Sequence, residues 1–280
     1  MDQRRGIFFA MMLVAAWTML LFLFLPNFVA VPVSLTPERY LSMPGGEISL
    51  RHYIKLFTDA AWLSSIADSL IIGLGAMALA VVLGTLCAVG IWRLASRWSE
   101  AMLGLALMPL IVPPIVSALA FYRLYIDLGW LDTYHGMIVA HGILAVPYVV
   151  ITVSASLANF DPKLEQAARN LGASMGQTLR FVIVPQIMPG ILSGAVFAFA
   201  TSWDELVVTL FITSRAVFTL PRRMWDGIRE HVDPTIAAAA TSLLLLTLIA
   251  IAVVVYWAWR RQPATAIGLS IEQQVTASTA

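Results

Sequence analysis

Charge is scarce in this chain: 12% of its 280 residues are charged and 60% are hydrophobic. A soluble domain of that length needs far more surface charge, so composition excludes an ordinary water-soluble globule and makes the bilayer the natural solvent. Lysine is scarcer still, since Lys55 and Lys163 are the only two and Leu follows each. No G-x4-G-K-[ST] loop can be built from them, so the chain is not a P-loop ATPase. The single cysteine, Cys87, excludes an intrachain disulfide, and its place inside an apolar run reads as a packed thiol. His52, His135, His141 and His231 are scattered without H-E-x-x-H or Cys/His spacing, and no Gly-x-Ser-x-Gly elbow occurs. Neither a metal site nor a hydrolytic site is expected, and nucleic acid is not an expected partner.

What fills the chain instead is long apolar runs. A helix needs about 20 predominantly apolar residues to cross hydrocarbon, and such runs lie near 7 to 25, 67 to 92, 101 to 126, 136 to 158, 187 to 212 and 236 to 259. The reading is an all-α, polytopic membrane protein with six spans, five being the alternative count, and the third span is kinked or broken by Pro109, Pro113 and Pro114. Residues 1–262 form one transmembrane domain with its core at 60–260, and 263–280 form an unstructured tail. The first run is too long for a signal-peptide core and is taken as a retained span. The segment from Pro26 to Ile66 is polar, more helical in pattern from Ile48 to Phe57, and reads as a lid or lateral extension. Arg4 and Arg5 before the first run argue for a cytoplasmic N-terminus. With six spans the C-terminus is cytoplasmic too, and basic residues divide nine inside to eight outside, which decides little.

Between the fourth and fifth runs stands a polar stretch, Asp161 to Gly172. Asp161 suits an N-cap, Pro162 the first helical position, and Gly172 the left-handed residue that ends a helix. Leu164, Ala167, Ala168 and Leu171 fall at i, i+3, i+4 and i+7, while Lys163, Glu165, Gln166, Arg169 and Asn170 cover the other faces. Ser174 with Gln177 makes a weak capping box for a second short helix, and Pro185 and Pro189 open the next apolar run. An amphipathic helix lying on the membrane is the plainer reading. Small alanines and a weak basic bias argue against it.

Gln166-Ala167-Ala168, three residues, Gly172, nine residues, then Val182-Ile183-Val184-Pro185 resembles the E-A-A-x3-G-x9-I-x-L-P signature of permease subunits in binding-protein-dependent ABC importers. Gln166 stands where that family usually has Glu, with Glu165 just before it, so a neutral amide keeps only the hydrogen bond. The resemblance covers roughly residues 60 to 260, and Phe199 to Glu205 is similar to the polyamine-type branch. It implies the type I importer permease fold in a bacterial cytoplasmic (inner) membrane, with a cytoplasmic coupling helix in the region 161–185. Leu164 to Leu171 with Gly172 and Pro185 would then meet a separate ATPase. Implied partners are a second permease subunit, homologous or identical, two cytoplasmic ATPase subunits that bind ATP and Mg, and an external solute-binding protein. This chain would carry no cofactor and catalyse no covalent chemistry.

Trp203, Asp204 and Glu205 lie inside the fifth run, where an acidic residue near a helix centre costs about 2.5 to 3.5 kcal/mol and should therefore face protein, water or substrate. They read either as a lining of the translocation path, suited to an ammonium group, or as an external gate or subunit contact. Asp68 reads as an interfacial cap or a pathway residue. Tyr122, Tyr125, Asp127 and Trp130 cluster at the end of the third span, as an aromatic belt or as a gate or receptor contact. Arg222 to Asp233 after Pro221 reads as an external helix or a solvated loop. The expected function is an ABC importer permease for a cationic amine such as putrescine or spermidine. Other small solutes, or an ion-driven secondary transporter or channel, are the alternatives.

Overall fold

The computed structural model describes residues 2–94, 96–230 and 233–260, and the tail from 263 lies outside them. All regular structure among the described residues is helical. The chain divides into two units, one of 58–229 and one joining 1–57 to 230–280.

In the second of these, α1 (Asp2–Ser34) and α12 (Thr235–Arg260) pack on each other, and α2 (Arg51–Thr58) is a short amphipathic helix. The polar stretch before α2 is tied down by main-chain acceptors: Arg51 donates to Pro37 O at 2.7 Å, and His52 Nε2 lies 2.9 Å from Glu38 O. Lys55 donates to Asp233 at 2.5 Å, while Asp233 also accepts from the Thr235 N–H that opens α12. α1 runs further than the 7 to 25 read from the sequence, and Phe8, Leu13, Trp17, Leu21 and Phe22 along it are exposed. A backbone closed into a helix beneath such side chains is suited to lipid, because no main-chain polar group meets hydrocarbon unpaired.

The unit 58–229 is built on α3 (Ala60–Leu94), α6 (Tyr134–Ala158) and α9 (Val184–Asp204), which pack on one another. Lipid supplies no hydrophobic drive between helices, so close backbone approach through small residues has to hold them. A Cβ on Gly84 would come within 2.7 Å of Val149, one on Gly194 within 2.6 Å of Thr152, and one on Gly190 within 2.6 Å of the Thr152 carbonyl. Around these contacts Ala80, Ala145, Val149, Val153, Ile183 and Ile187 form one apolar cluster, and Cys87 packs against it. A second cluster, with Ile72, Tyr125, Met137, Val208 and Ile212, holds α5 (Pro114–Leu128) and α10 (Val207–Ile212).

Two expected spans are interrupted. α4 (Arg97–Ile111) and α5 bend by 100° at their junction, where Pro113 and Pro114 remove two amide donors and bar the helical conformation ahead of them. The fifth run, read as continuous over 187 to 212, ends α9 at Asp204 and restarts as α10 at Val207. Among the described residues four helices are long and apolar enough to cross a membrane, or five if the bent pair counts as one span. The remaining elements are α7 (Pro162–Asn170), α8 (Met175–Thr178), a π-helical turn Leu179–Ile183 leading into α9, and α11 (Leu220–Glu230).

Candidate functional site

Between α6 and α9 the chain leaves the bundle as α7 and α8, and every cap read from the sequence is present. The Asp161 carboxylate accepts from Lys163 N at 2.9 Å, and Gly172 adopts φ +86°. In that left-handed conformation Gly172 N donates to Arg169 O and Ala173 N to Ala168 O, closing the helix end. Ser174 and Gln177 exchange side-chain and main-chain hydrogen bonds at 2.7 and 3.3 Å, fixing the start of α8. Pro185 lies in the first turn of α9, exposed.

No residue of α7 is buried. Its apolar face points away from the bundle: Leu164 is 42% exposed, and Leu171, just past the last helical residue, is 90% exposed. Ala167, Gln166 and Arg169 are exposed as well, while Ala168 and Glu165 are half-buried. Glu165 turns inward, and its carboxylate accepts from Arg93 near the end of α3 at 3.1 Å. A helix with a polar contact inward and leucines outward is inverted relative to a self-sufficient surface helix. It suits a segment completed by something else.

At the opposite end of the bundle, Trp203 stacks on Phe199 with ring centroids 5.6 Å apart, and Asp204 is exposed. Glu205 lies in the break, where its carboxylate accepts from Val208 N at 2.9 Å and so caps α10. The two carboxylates therefore sit in different surroundings. Tyr125 is buried, donates to Gly136 O at 2.9 Å and packs against Trp130 at 5.6 Å. Tyr122 and Asp127 are exposed instead, Asp127 in an ion pair with Arg123.

Sequence reasoning missed the polar network at this same end. Asp132, at φ 57°, accepts four main-chain N–H groups, from Ser214 and Val217 on one oxygen and Arg215 and Ala216 on the other, at 2.9 to 3.2 Å. Burial works against its charge, but these four donors win and hold its carboxyl down at about 2. Asp68 is no helix cap: it accepts from the Tyr134 hydroxyl at 2.7 Å and from Phe218 N at 3.0 Å. Ser69 accepts from Leu220 N at 2.8 Å and Ser65 from Arg223 Nε at 2.5 Å. Beside them opens a cavity of about 410 Å3 lined by Asp68, Tyr134, Arg215, Phe218 and Arg223. These contacts join residues 66 to 158 positions apart, and the only local signal was the lone acid within each apolar or turn segment.

Long apolar helices packed together, with a capped, apolar-faced helix extended between two of them, have the form of a membrane transport subunit. The chain belongs to the family described as the binding-protein-dependent transport system inner membrane component, which matches residues 80–262. It is 30% identical over 224 residues to the spermidine/putrescine transport system permease protein PotC of Haemophilus influenzae, covering 80% of this chain and 86% of that one. It is 32% identical over 231 residues to the putrescine transport system permease protein PotI of Escherichia coli K12, covering 80% and 82%. Its fold is similar, at TM-score 0.66 and 16% identity, to a chain of the bacterial alginate ABC transporter solved in complex with an alginate pentasaccharide-bound periplasmic protein, covering 91% of this chain and 93% of that one. The protein is thus a permease of an ABC importer, and it resembles the polyamine branch.

Proposed function

We propose that α7 is the coupling helix of this permease and that it seats its exposed leucines in a groove of a separate ATPase subunit. The observation that carries this is the outward apolar face of Leu164 and Leu171 on a helix capped at both ends and tied inward through Glu165. In this reading α1, α3, the α4–α5 pair, α6, α9 with α10, and α12 are the six spans. Both termini and α7 lie in the cytosol, and the Asp68 and Asp132 network faces outside. Two ATPase subunits bind ATP and Mg, a second permease completes the path, and an external binding protein delivers the solute; this chain holds no cofactor of its own. ATP-driven closure of the ATPases moves α7 and shifts the path between inward- and outward-facing states.

The solute is a cationic amine of the putrescine or spermidine kind. Support comes from the exposed Asp204 carboxylate and its chain neighbour Trp203, residue types suited to an ammonium group, and from the spermidine and putrescine transport for which the relatives PotC and PotI are named. Glu205 serves as the cap of α10, and Tyr125 and Trp130 brace the outer end. The test is copurification of the nucleotide-binding subunit from membranes. Leu171→Glu and Ala168→Arg should each release it while the permease stays inserted, and retention in both variants removes the docking face.

A further inference from the structure

In the unit 58–229, the long helices other than α3 are interrupted or contain proline. α6 contains Pro147, α9 contains Pro189 and is entered through a π-helical turn, and α4 and α5 meet at a 100° bend. α3 runs 35 residues without a proline. It is also gripped along its length: Gly73 lies against the Phe199 ring, Gly75 against Ile138 and Gly84 against Val149, each too close to admit a Cβ without movement. A continuous helix packed this closely resists bending, since sliding or flexing it would require close-packed neighbours to move with it.

Both ends of α3 make polar contacts that leave the three-helix core. At one end Arg93 donates to Glu165 of α7 at 3.1 Å, with both side chains mostly shielded. At the other end, about 40 Å away at 1.5 Å per residue, Ser65, Asp68 and Ser69 accept from Arg223, Phe218 and Leu220. The segment these three residues hold is also gathered by Asp132 at Ser214 to Val217. One helix thus joins α7 directly to the segment 213–223 at the far end of the bundle.

We infer that α3 is the rigid strut that carries displacement of α7 to the segment 213–223, with Arg93 and Glu165 as the positioning pair at its driven end. This rests on the reading of α7 as the coupling helix. Arg93 fits the role by chemistry: a guanidinium holds a carboxylate in a directed, charge-assisted contact, so α3 follows α7 rather than slipping past it. Glu165 then faces its own chain, which leaves the outward leucines for the ATPase.

The test uses the full permease with its ATPase subunits in lipid nanodiscs, in a Cys87→Ala background with Ser214→Cys on the exposed outer segment. The alkylation rate of that thiol is read with a maleimide, without nucleotide and after trapping with Mg-ATP and vanadate. The parental complex should show a nucleotide-dependent change of about five-fold or more. Arg93→Gln and Glu165→Gln should each reduce it to less than about two-fold with the ATPases still bound. The exchange Arg93→Glu with Glu165→Arg should restore the response, which a merely structural role would not produce. A full response in both single variants, no rescue by the exchange, or no response in the parental complex overturns the strut. Loss of the ATPases from Glu165→Gln would also overturn it, by making Glu165 part of the docking surface. Failure of the docking reading is seen separately, as retention of the ATPases by Leu171→Glu and Ala168→Arg.

Discussion

His141 Nε2 lies 3.2 Å from Thr209 Oγ1, and this contact spans the break between α9 and α10 from the buried side of α6. Thr209 has one hydroxyl proton, and it is given to Glu205 O at 2.9 Å. The imidazole must therefore donate from Nε2, which leaves Nδ1 to accept from Ser202 Oγ at 2.9 Å. One imidazole thus holds the last turn of α9 and the first of α10 together.

His141→Ala should destabilise the protein by about 1 to 3 kcal/mol, because it leaves the buried Ser202 hydroxyl without its acceptor and takes the ring N–H away from Thr209 Oγ1. Thermal unfolding in detergent should show a lowered Tm. Ser202→Ala, which removes a donor and leaves an acceptor nitrogen on a ring still held at Thr209, should cost less. Equal Tm values for wild type and His141→Ala would refute the bridging role.

Asp132 gives a pH dependence with a definite sign. Its folded carboxyl titrates at about 2, below the unfolded value near 3.8. The stabilisation is therefore complete above the unfolded value and disappears as pH falls from there through about 2. Asp132→Asn presents one acceptor oxygen to four donors and should lower Tm at neutral pH. The gap from wild type should narrow below about pH 4. A gap that stays constant from neutral to acid pH would contradict the charge account.

Asp204 and Glu205 should separate on substitution. Asp204→Asn is expected to reduce uptake of radiolabelled putrescine by proteoliposomes about ten-fold or more, the loss of one charge-assisted contact of about 1.5 kcal/mol or above. Glu205→Gln retains an oxygen for Val208 N and should transport nearly as wild type. Reversed outcomes would move the substrate contact into the helix break.

Gly190→Ala should be poorly tolerated. Its Cβ would sit 2.6 Å from the Thr152 carbonyl and 2.3 Å from Ser156 Oγ, and the backbone oxygen cannot turn aside. α9 must then move off α6, with an expected cost of about 1 to 3 kcal/mol. A lowered Tm is the readout, and an unchanged one would mean the pair is loosely packed.

The elements most legible in the sequence were those specified by local chemistry. Asp161, Gly172 and the Ser174–Gln177 pair each act on main-chain groups within a few positions, so spacing alone revealed α7 and α8. Prolines 113 and 114 marked a break but not its 100° angle, which depends on how the two halves pack. The break after Asp204 was hidden because residues 195–212 contain neither Gly nor Pro and the apolar run resumes at Leu206 directly after the two acids. Its signal was Glu205 three positions before Val208, an N-cap pattern inside a hydrophobic stretch. Asp132, Asp68 and His141 act across 61 to 150 residues, and no composition or period encodes such pairings.

What touches Leu171 decides the role of α7. A photo-crosslinking residue at that position, in the complete importer in native membranes, should join this chain to the nucleotide-binding subunit, with the yield changing on addition of Mg-ATP and vanadate. Adducts only to lipid, or to the external binding protein, would place α7 on the wrong surface and contradict the proposal.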